Sequence, residues 1–159
     1  MCIRDREVQA AGLLAIMGIF DLVGTTASGW LTDRYDPRKL LFVYYALRGL
    51  SLIYLPYSDF SFYSLSIFAI FFGLDWIATV PPTLRLTTEA FGERDAAIVF
   101  GWIVAGHQLG AATAAWMAGA IREAQGSYMM AFIISGATGL IAAVIALRIG
   151  KQQLTAQPA

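Results

Sequence analysis

The chain has 159 residues, of which 58% are hydrophobic and 14% are charged, and its formal net charge is zero. A soluble domain of this size would carry roughly a quarter charged residues, so the composition excludes an ordinary soluble protein and indicates an integral membrane protein. The balanced charge gives no support to a nucleic-acid partner. One cysteine and one histidine exclude an internal disulfide and a Cys/His metal cluster, so we expect no metal and no cofactor.

The first predicted membrane-spanning helix covers residues 8–31. The polar residues 1–7 before it are interpreted as a non-native or truncated leader. About 20 apolar residues suffice to cross the hydrocarbon core, and within this stretch the only charged side chain is Asp21. The larger polar residues around it recur at helical spacing and predict one polar stripe on one helix face. They are Asp21, Thr25, Ser28 and Thr32.

A charge-dense turn follows at residues 29–39. Asp36 stands before Pro37, and the proline ring disfavours helix at the residue that precedes it. Arg38 and Lys39 then flank the next apolar run as cationic anchors. The stretch therefore predicts a tight cytoplasmic turn between two membrane helices.

Two further spans are predicted after this turn. The second span covers residues 40–57 and has Arg48 at its centre. The third covers residues 60–84, contains Asp75, and is predicted to break near its end at Pro81-Pro82. Membrane helices tolerate such prolines where neighbouring groups satisfy the freed backbone.

The rest of the chain predicts a polar loop at 85–95 and two more spans. The fourth span, 96–121, has no formal charge but contains His107 and Gln108. The fifth begins after Gly126-Ser127 and ends near residue 147, before a polar cytoplasmic tail at 151–159. Small residues recur every fourth position along the fourth span and predict a surface for tight helix packing. They are Gly106, Gly110, Ala114 and Ala118.

The basic residues predict an orientation. Placing the loop at 32–39 in the cytoplasm puts seven basic residues inside, against Arg122 alone in the opposite loops. The seven are Arg34, Arg38, Lys39, Arg85, Arg94, Arg148 and Lys151. Five spans would then leave the N-terminus outside with Arg4 and Arg6, so we interpret the chain as a fragment that lacks a preceding helix.

The turn also carries a family resemblance. Gly29-x-Leu31-x-Asp33-Arg34-Tyr35 followed by Arg38-Lys39 resembles the signature loop of the major facilitator superfamily of secondary transporters, although Asp36-Pro37 makes it one residue longer. Three further stretches, 75–83, 106–110 and 126–128, resemble the C-terminal halves of that family. The residues of the signature are Gly29, Asp33, Arg34, Arg38 and Lys39, and the resemblance implies a conformational latch through Asp33 and Arg34.

The resemblance implies an all-α polytopic membrane bundle, with residues 8–150 forming helices eight to twelve of a twelve-helix carrier. The implied partners are membrane lipid, the missing N-terminal half and a small-molecule substrate, and the implied location is a bacterial inner membrane. The resemblance leans toward monocarboxylate and organic-anion carriers. Monocarboxylate carriers pair an Asp and an Arg one turn apart on the eighth helix, whereas here Thr25 follows Asp21.

Strongly polar groups near the middle of the spans predict the functional site. A charge at the bilayer centre costs about 2.5–3.5 kcal/mol, so such groups usually have a partner or a function. The candidates for a substrate or proton site are Asp21, Thr25, Asp75, His107 and Gln108. Arg48 is predicted to form a structural ion pair with Asp21 or Asp75. His107 suits proton exchange near neutral pH, with a hydrogen bond between helices as the alternative.

These features predict a secondary transporter that works by alternating access. The substrate would be a small metabolite such as an organic anion, with symport and antiport both open. A non-transporting helical scaffold is the first alternative, but it would not need charged groups at the middle of three helices. A membrane-embedded enzyme is the second, and a single histidine without a HExxH pattern argues against it.

Overall fold

The computed structural model describes residues 3–150, and it describes side chains from Val8 onward. The described chain contains α-helices and no strand, which confirms the predicted all-α class. The helices are α1 (Ile3–Thr32), α2 (Pro37–Tyr54), α3 (Phe62–Asp75), α4 (Val80–Gln125) and α5 (Met129–Ala146), with a short 3-10 turn at Leu55–Tyr57. The predicted tail at 151–159 and the first two residues of the predicted leader lie outside the described residues.

Four segments of the described chain are long and apolar enough to cross a membrane, and the protein is therefore a multi-pass membrane protein. They are Val8–Thr32, Pro37–Tyr57, Phe62–Gln125 and Met129–Ala146. The third has 64 residues, which as one helix would reach about 96 Å, roughly three times the hydrocarbon thickness. One crossing cannot accommodate that length.

The chain folds back within this segment at Gly92. Thr83 and His107 line the same cavity, although 24 residues of continuous helix would separate them by about 36 Å. Gly92 is the residue with non-helical angles inside α4, at φ 78° and ψ 164°. Residues 80–91 are too short to cross alone, at about 18 Å, so α3 and this first part of α4 together form one broken crossing. The second part of α4, 93–125, forms the next crossing, and the described chain makes five.

The break in the third predicted span lies earlier than the prolines predicted. Residues 76–79 form a turn between α3 and α4, while Pro81 and Pro82 lie in the first turn of α4. The first turn of a helix has no intrahelical acceptor for its N–H groups, so prolines there remove no hydrogen bond. The predicted loop at 85–95 is likewise helical on both sides of Gly92.

Side-chain caps determine where α2 and α3 begin. The Asp36 carboxylate accepts the Arg38 N–H at 3.0 Å, and Pro37 occupies the first helical position. At α3, the Ser61 hydroxyl accepts the Ser64 N–H at 3.2 Å. Hydrogen bonds from the side chains of Ser64 and Ser61 and from the Ser61 backbone also hold the pKa of the exposed Asp59 carboxyl below its usual range.

Glycines allow two pairs of helices to approach at backbone distance. A Cβ at Gly24 of α1 would overlap the Leu74 carbonyl of α3, and one at Gly73 would lie 2.6 Å from the Met17 carbonyl. In α2 and α5, a Cβ at Gly49 would lie 2.7 Å from the Gly136 carbonyl. The core of the described bundle is thus an α1–α3 pair and an α2–α5 pair.

The predicted packing ladder of the fourth span makes no such contact. A Cβ at Gly106 or Gly110 would meet nothing within 4 Å among the described residues. Nearly all of residues 101–130 are exposed. Small-residue spacing correctly indicates a helix without bulk on one face, but it does not identify which helix that face meets.

The turn after α1, the end of the first part of α4 and the end of α5 share one end of the bundle. A cavity at this end is lined by Asp33, Arg38, Arg85, Glu89 and Ile149 among others. The turn after α1, the end of the first part of α4 and the end of α5 therefore lie side by side. The charge bias predicted this same grouping.

Candidate functional site

The turn at 76–79 is bound by polar side chains of α1. The Asp21 carboxylate accepts the Ile77 N–H at 3.0 Å, and the buried Ser28 hydroxyl donates to the Ala78 carbonyl at 2.5 Å. Backbone groups freed by a helix break within a membrane must be satisfied by other protein groups. Two members of the polar stripe predicted on α1 supply these partners.

Arg48 of α2 binds the same turn from another helix. Its Nε lies 3.4 Å from Asp75 Oδ1, while its Nη2 donates to the carbonyls of Asp75 and, at 2.9 Å, of Trp76. The Asp75 side chain is 4% exposed and the Arg48 side chain 20% exposed. Arg48 therefore neutralises a buried carboxylate and satisfies the carbonyls at the end of α3. Of its two predicted partners, the structure places Asp75 beside it.

A cavity of about 420 Å³, the central cavity of the described chain, opens beside this turn. Its walls come from α2, from the end of α3, from the turn at 76–79 and from both parts of α4. Arg48 is the one formally charged side chain in the lining, which also includes His107 from the second part of α4. Polar groups of Tyr45, Thr79 and Thr83 share the cavity with apolar side chains that include Phe72 and Ile103. Such a cavity can accept a small molecule with one charged and one apolar part.

The predicted site residues do not all meet in this cavity. Asp21 lines a smaller crevice of about 220 Å³ between α1 and α3, and Trp76 lines both spaces. Asp75 lies behind Arg48, and Gln108 is exposed outside the lining.

Thr25, predicted as part of the site, has a buried hydroxyl without a hydrogen-bond partner among the described residues. The structure thus brings together His107 and Arg48, of which Arg48 was predicted to be structural. Sequence reasoning did not propose Tyr45 or Thr83 as site residues. Thr83 lies one helical turn after Thr79 beyond the break, and this spacing was the available signal.

The signature turn contacts α4 through Arg85. Arg85 of α4 donates to the Thr32 carbonyl at 2.6 Å and lies 3.6 Å from Asp33. Arg34 instead stacks over the Trp30 ring, 3.9 Å from its centroid. Arg85 therefore joins α4 to the turn through both the Thr32 carbonyl and the Asp33 carboxylate.

The remaining signature residues contribute locally. Arg38 lies 3.9 Å from the Asp36 carboxylate beside the start of α2. Lys39 is exposed, and Gly29 lies in the last turns of α1 with space around its Cα. No group of His, Cys, Asp and Glu among the described residues could hold a metal ion.

Comparison with known proteins identifies relatives over nearly the whole chain. The family described as "Major Facilitator Superfamily" matches residues 6–158. Monocarboxylate transporter 13 of Rattus norvegicus is 31% identical over 132 residues, which is 82% of this chain and 31% of the relative. Monocarboxylate transporter 12 of Homo sapiens is 30% identical over 141 residues, or 86% and 27% of the two chains.

The chain therefore spans about a third of the length of these relatives. They are vertebrate proteins, so they give no support to the expected bacterial inner membrane. No solved structure matches the chain.

Proposed function

We propose that this chain, which belongs to the major facilitator superfamily, lines the substrate path of a secondary transporter for small organic anions. The family is one of transporters and not of enzymes. The relatives named above are monocarboxylate transporters by name, which supports a carboxylate as the substrate. Transport would proceed by alternating access, in which two sets of helices rock around a site near the middle of the membrane.

The observation that carries the proposal is the cavity beside the broken helix. Broken helices in membrane transporters occur where the irregular backbone lines a cavity. Here the turn at 76–79 supplies one wall, and Arg48 and His107 contribute to the others. A helical scaffold would have no need for a cationic side chain and an imidazole around one central cavity.

The exposed second part of α4 supports a larger transporting unit. His107 and Gln108 are exposed in the described structure, and polar groups at this depth are costly against hydrocarbon. We propose that a further set of helices of the same carrier faces this surface, as the second half does in a complete two-half transporter. The path would then run between the two halves.

Proton symport is the form of coupling that we propose. His107 is the one imidazole of the chain, and imidazole exchanges protons near neutral pH. Movement of one proton with one carboxylate leaves no net charge to carry across the membrane. An anion exchanger would instead move one carboxylate against another and need no proton-exchanging group in the cavity.

The test is replacement of His107 by alanine in the full-length carrier. We expect normal membrane abundance but at least a tenfold loss of carboxylate uptake per molecule, measured in vesicles between pH 5 and 8. Ser66→Ala is the control, because Ser66 of α3 lies outside the cavity lining and its hydroxyl donates to the Phe62 carbonyl of the same helix. Normal uptake by His107→Ala would contradict the proposed role of His107 in proton exchange. Absence of carboxylate uptake by the wild type would instead favour the non-transporting scaffold.

A further inference from the structure

We infer that Arg48 is the residue that binds the substrate carboxylate, with Asp75 and the turn at 76–79 positioning its guanidinium. This inference rests on the proposed function and assigns the anion site within it. It also changes the role predicted for Arg48, which was that of a structural ion pair alone.

The distribution of positive charge in the described helices points to Arg48 as the anion-binding residue. Arg48 is the one formally charged side chain that lines the central cavity. The other basic residues of the described helices lie near the ends of the crossings, as Arg85, Arg94 and Arg122 do. On α1, the position one helical turn after Asp21 holds Thr25, which carries no charge. Among the described residues, an anion in this cavity therefore has Arg48 as its one permanently charged cationic partner.

The Arg48 guanidinium is held in place by hydrogen bonds but keeps free donors. Its Nε and Nη2 are engaged by Asp75 and by the carbonyls of Asp75 and Trp76. Nη1 makes no hydrogen bond among the described residues, and the side chain keeps 20% of its surface exposed. An arginine fixed in this way loses little conformational entropy when it donates to a ligand. Its free donors can form a charge-assisted hydrogen bond to a carboxylate oxygen.

The charge and polarity of the cavity lining match those of a small carboxylate. One permanent cation in the described lining suits one carboxylate. The apolar walls, which include Phe72 and Ile103, suit a short hydrocarbon part. Tyr45 and Thr83 lie in the same lining. The Tyr45 hydroxyl can donate or accept a hydrogen bond, while the Thr83 hydroxyl already donates to the Thr79 carbonyl at 2.7 Å and can only accept. The cavity therefore fits a small monocarboxylate.

A structural role and a binding role for Arg48 predict different results in a double variant. Arg48→Gln alone would strand the buried Asp75 carboxylate and destabilise the protein, so it cannot separate the two roles. Arg48→Gln combined with Asp75→Asn removes both charges and leaves no unpaired carboxylate. If the pair is structural only, this variant should bind substrate as the wild type does.

The experiment measures binding of acetate, lactate, pyruvate and butyrate to the purified full-length carrier by calorimetry. Lactamide, the uncharged amide of lactate, is the ligand control. We expect the double variant to be present at wild-type abundance but to bind carboxylates about 10- to 100-fold more weakly, the range for one hydrogen bond to a charged group. Asp75→Asn alone should weaken binding less than the double variant does, because it retains Arg48 and the carbonyls of Asp75 and Trp76 that hold its Nη2.

Arg122→Gln is the matched control variant. Arg122 stacks on Tyr128 at the far end of α4, outside the cavity lining, so its loss should leave binding unchanged. Wild-type affinity in the Arg48/Asp75 double variant would overturn the inference while leaving the proposed function intact. Failure of the wild type to bind any of the four carboxylates would instead overturn the proposed substrate class.

Discussion

Helix packing depends on individual glycines, because some of them lie where a Cβ atom would overlap a neighbouring helix. Gly24, Gly49 and Gly73 each lie against the backbone of a neighbouring helix, while Gly106 and Gly110 lie against open space. Spacing alone favoured the second group, because it repeats every fourth residue. The first group has no such repeat within one helix, so the sequence offers no local signal for it. Partner helices determine which glycines are needed.

The first test at this scale compares Gly24→Ala with Gly106→Ala. A methyl group at Gly24 would overlap the Leu74 carbonyl, a backbone atom that cannot move independently. Overpacking of this kind costs about 1–3 kcal/mol, so we expect a lower melting temperature in detergent and reduced membrane abundance. Gly106→Ala should match the wild type, because nothing lies within 4 Å of the added methyl. Equal stability of the two variants would contradict the close approach of α1 and α3.

Polar residues in the spans could be predicted to have partners, but not which partners. A charge near the bilayer centre requires compensation, and Arg48 was paired with a carboxylate on that basis. The sequence does not reveal that Asp21 and Ser28 bind backbone groups of a turn more than 45 residues away. That arrangement depends on the position of the break, which is itself a property of the folded bundle.

At the scale of elements, the number of crossings could be predicted and their boundaries could not. Apolar length predicts a crossing because the hydrocarbon thickness is nearly constant. The charged residues at 85–95 favoured a loop, yet the structure needs only Gly92 to reverse the chain. Prolines at 81 and 82 favoured a break at their own position, whereas they begin the next helix. Both errors follow from reading composition without the contacts that satisfy the backbone.

The reversal at Gly92 predicts an asymmetry between two glycines of positive φ. Gly92 has φ 78° and ψ 164°, a region open almost only to glycine, while Gly126 has φ 73° and ψ −1° at the end of α4. Asparagine is tolerated at the second conformation and not at the first. We expect Gly92→Asn to cost about 1–3 kcal/mol and Gly126→Asn less than about 1 kcal/mol.

Thermal unfolding of the two variants in detergent, beside the wild type, measures the difference. If Gly92→Asn proved as stable as Gly126→Asn, the sharp reversal inside α4 would be contradicted.

At the scale of the whole molecule, the described chain is two tightly joined helix pairs with a long, loosely held fourth helix. The α1–α3 and α2–α5 pairs meet around the turn at 76–79, and Arg85 joins that unit to the charged end. The second part of α4 closes the central cavity but is otherwise exposed. This exposed surface is the one that we propose a further set of helices of the carrier to face.

The most direct test of this account is the accessibility of the central cavity from the two sides of the membrane. The full-length carrier would carry Val104→Cys, which places a thiol in the cavity lining, in a Cys2→Ser background. Val144→Cys on the exposed face of α5 is the control and should react with an impermeant thiol reagent from neither side.

Right-side-out and inside-out vesicles would be labelled with that reagent, with and without lactate. We predict that the thiol of the Val104→Cys variant reacts from both sides and that lactate changes the two rates in opposite directions. Reaction from one side only, at a rate that lactate does not change, would contradict an alternating-access transporter.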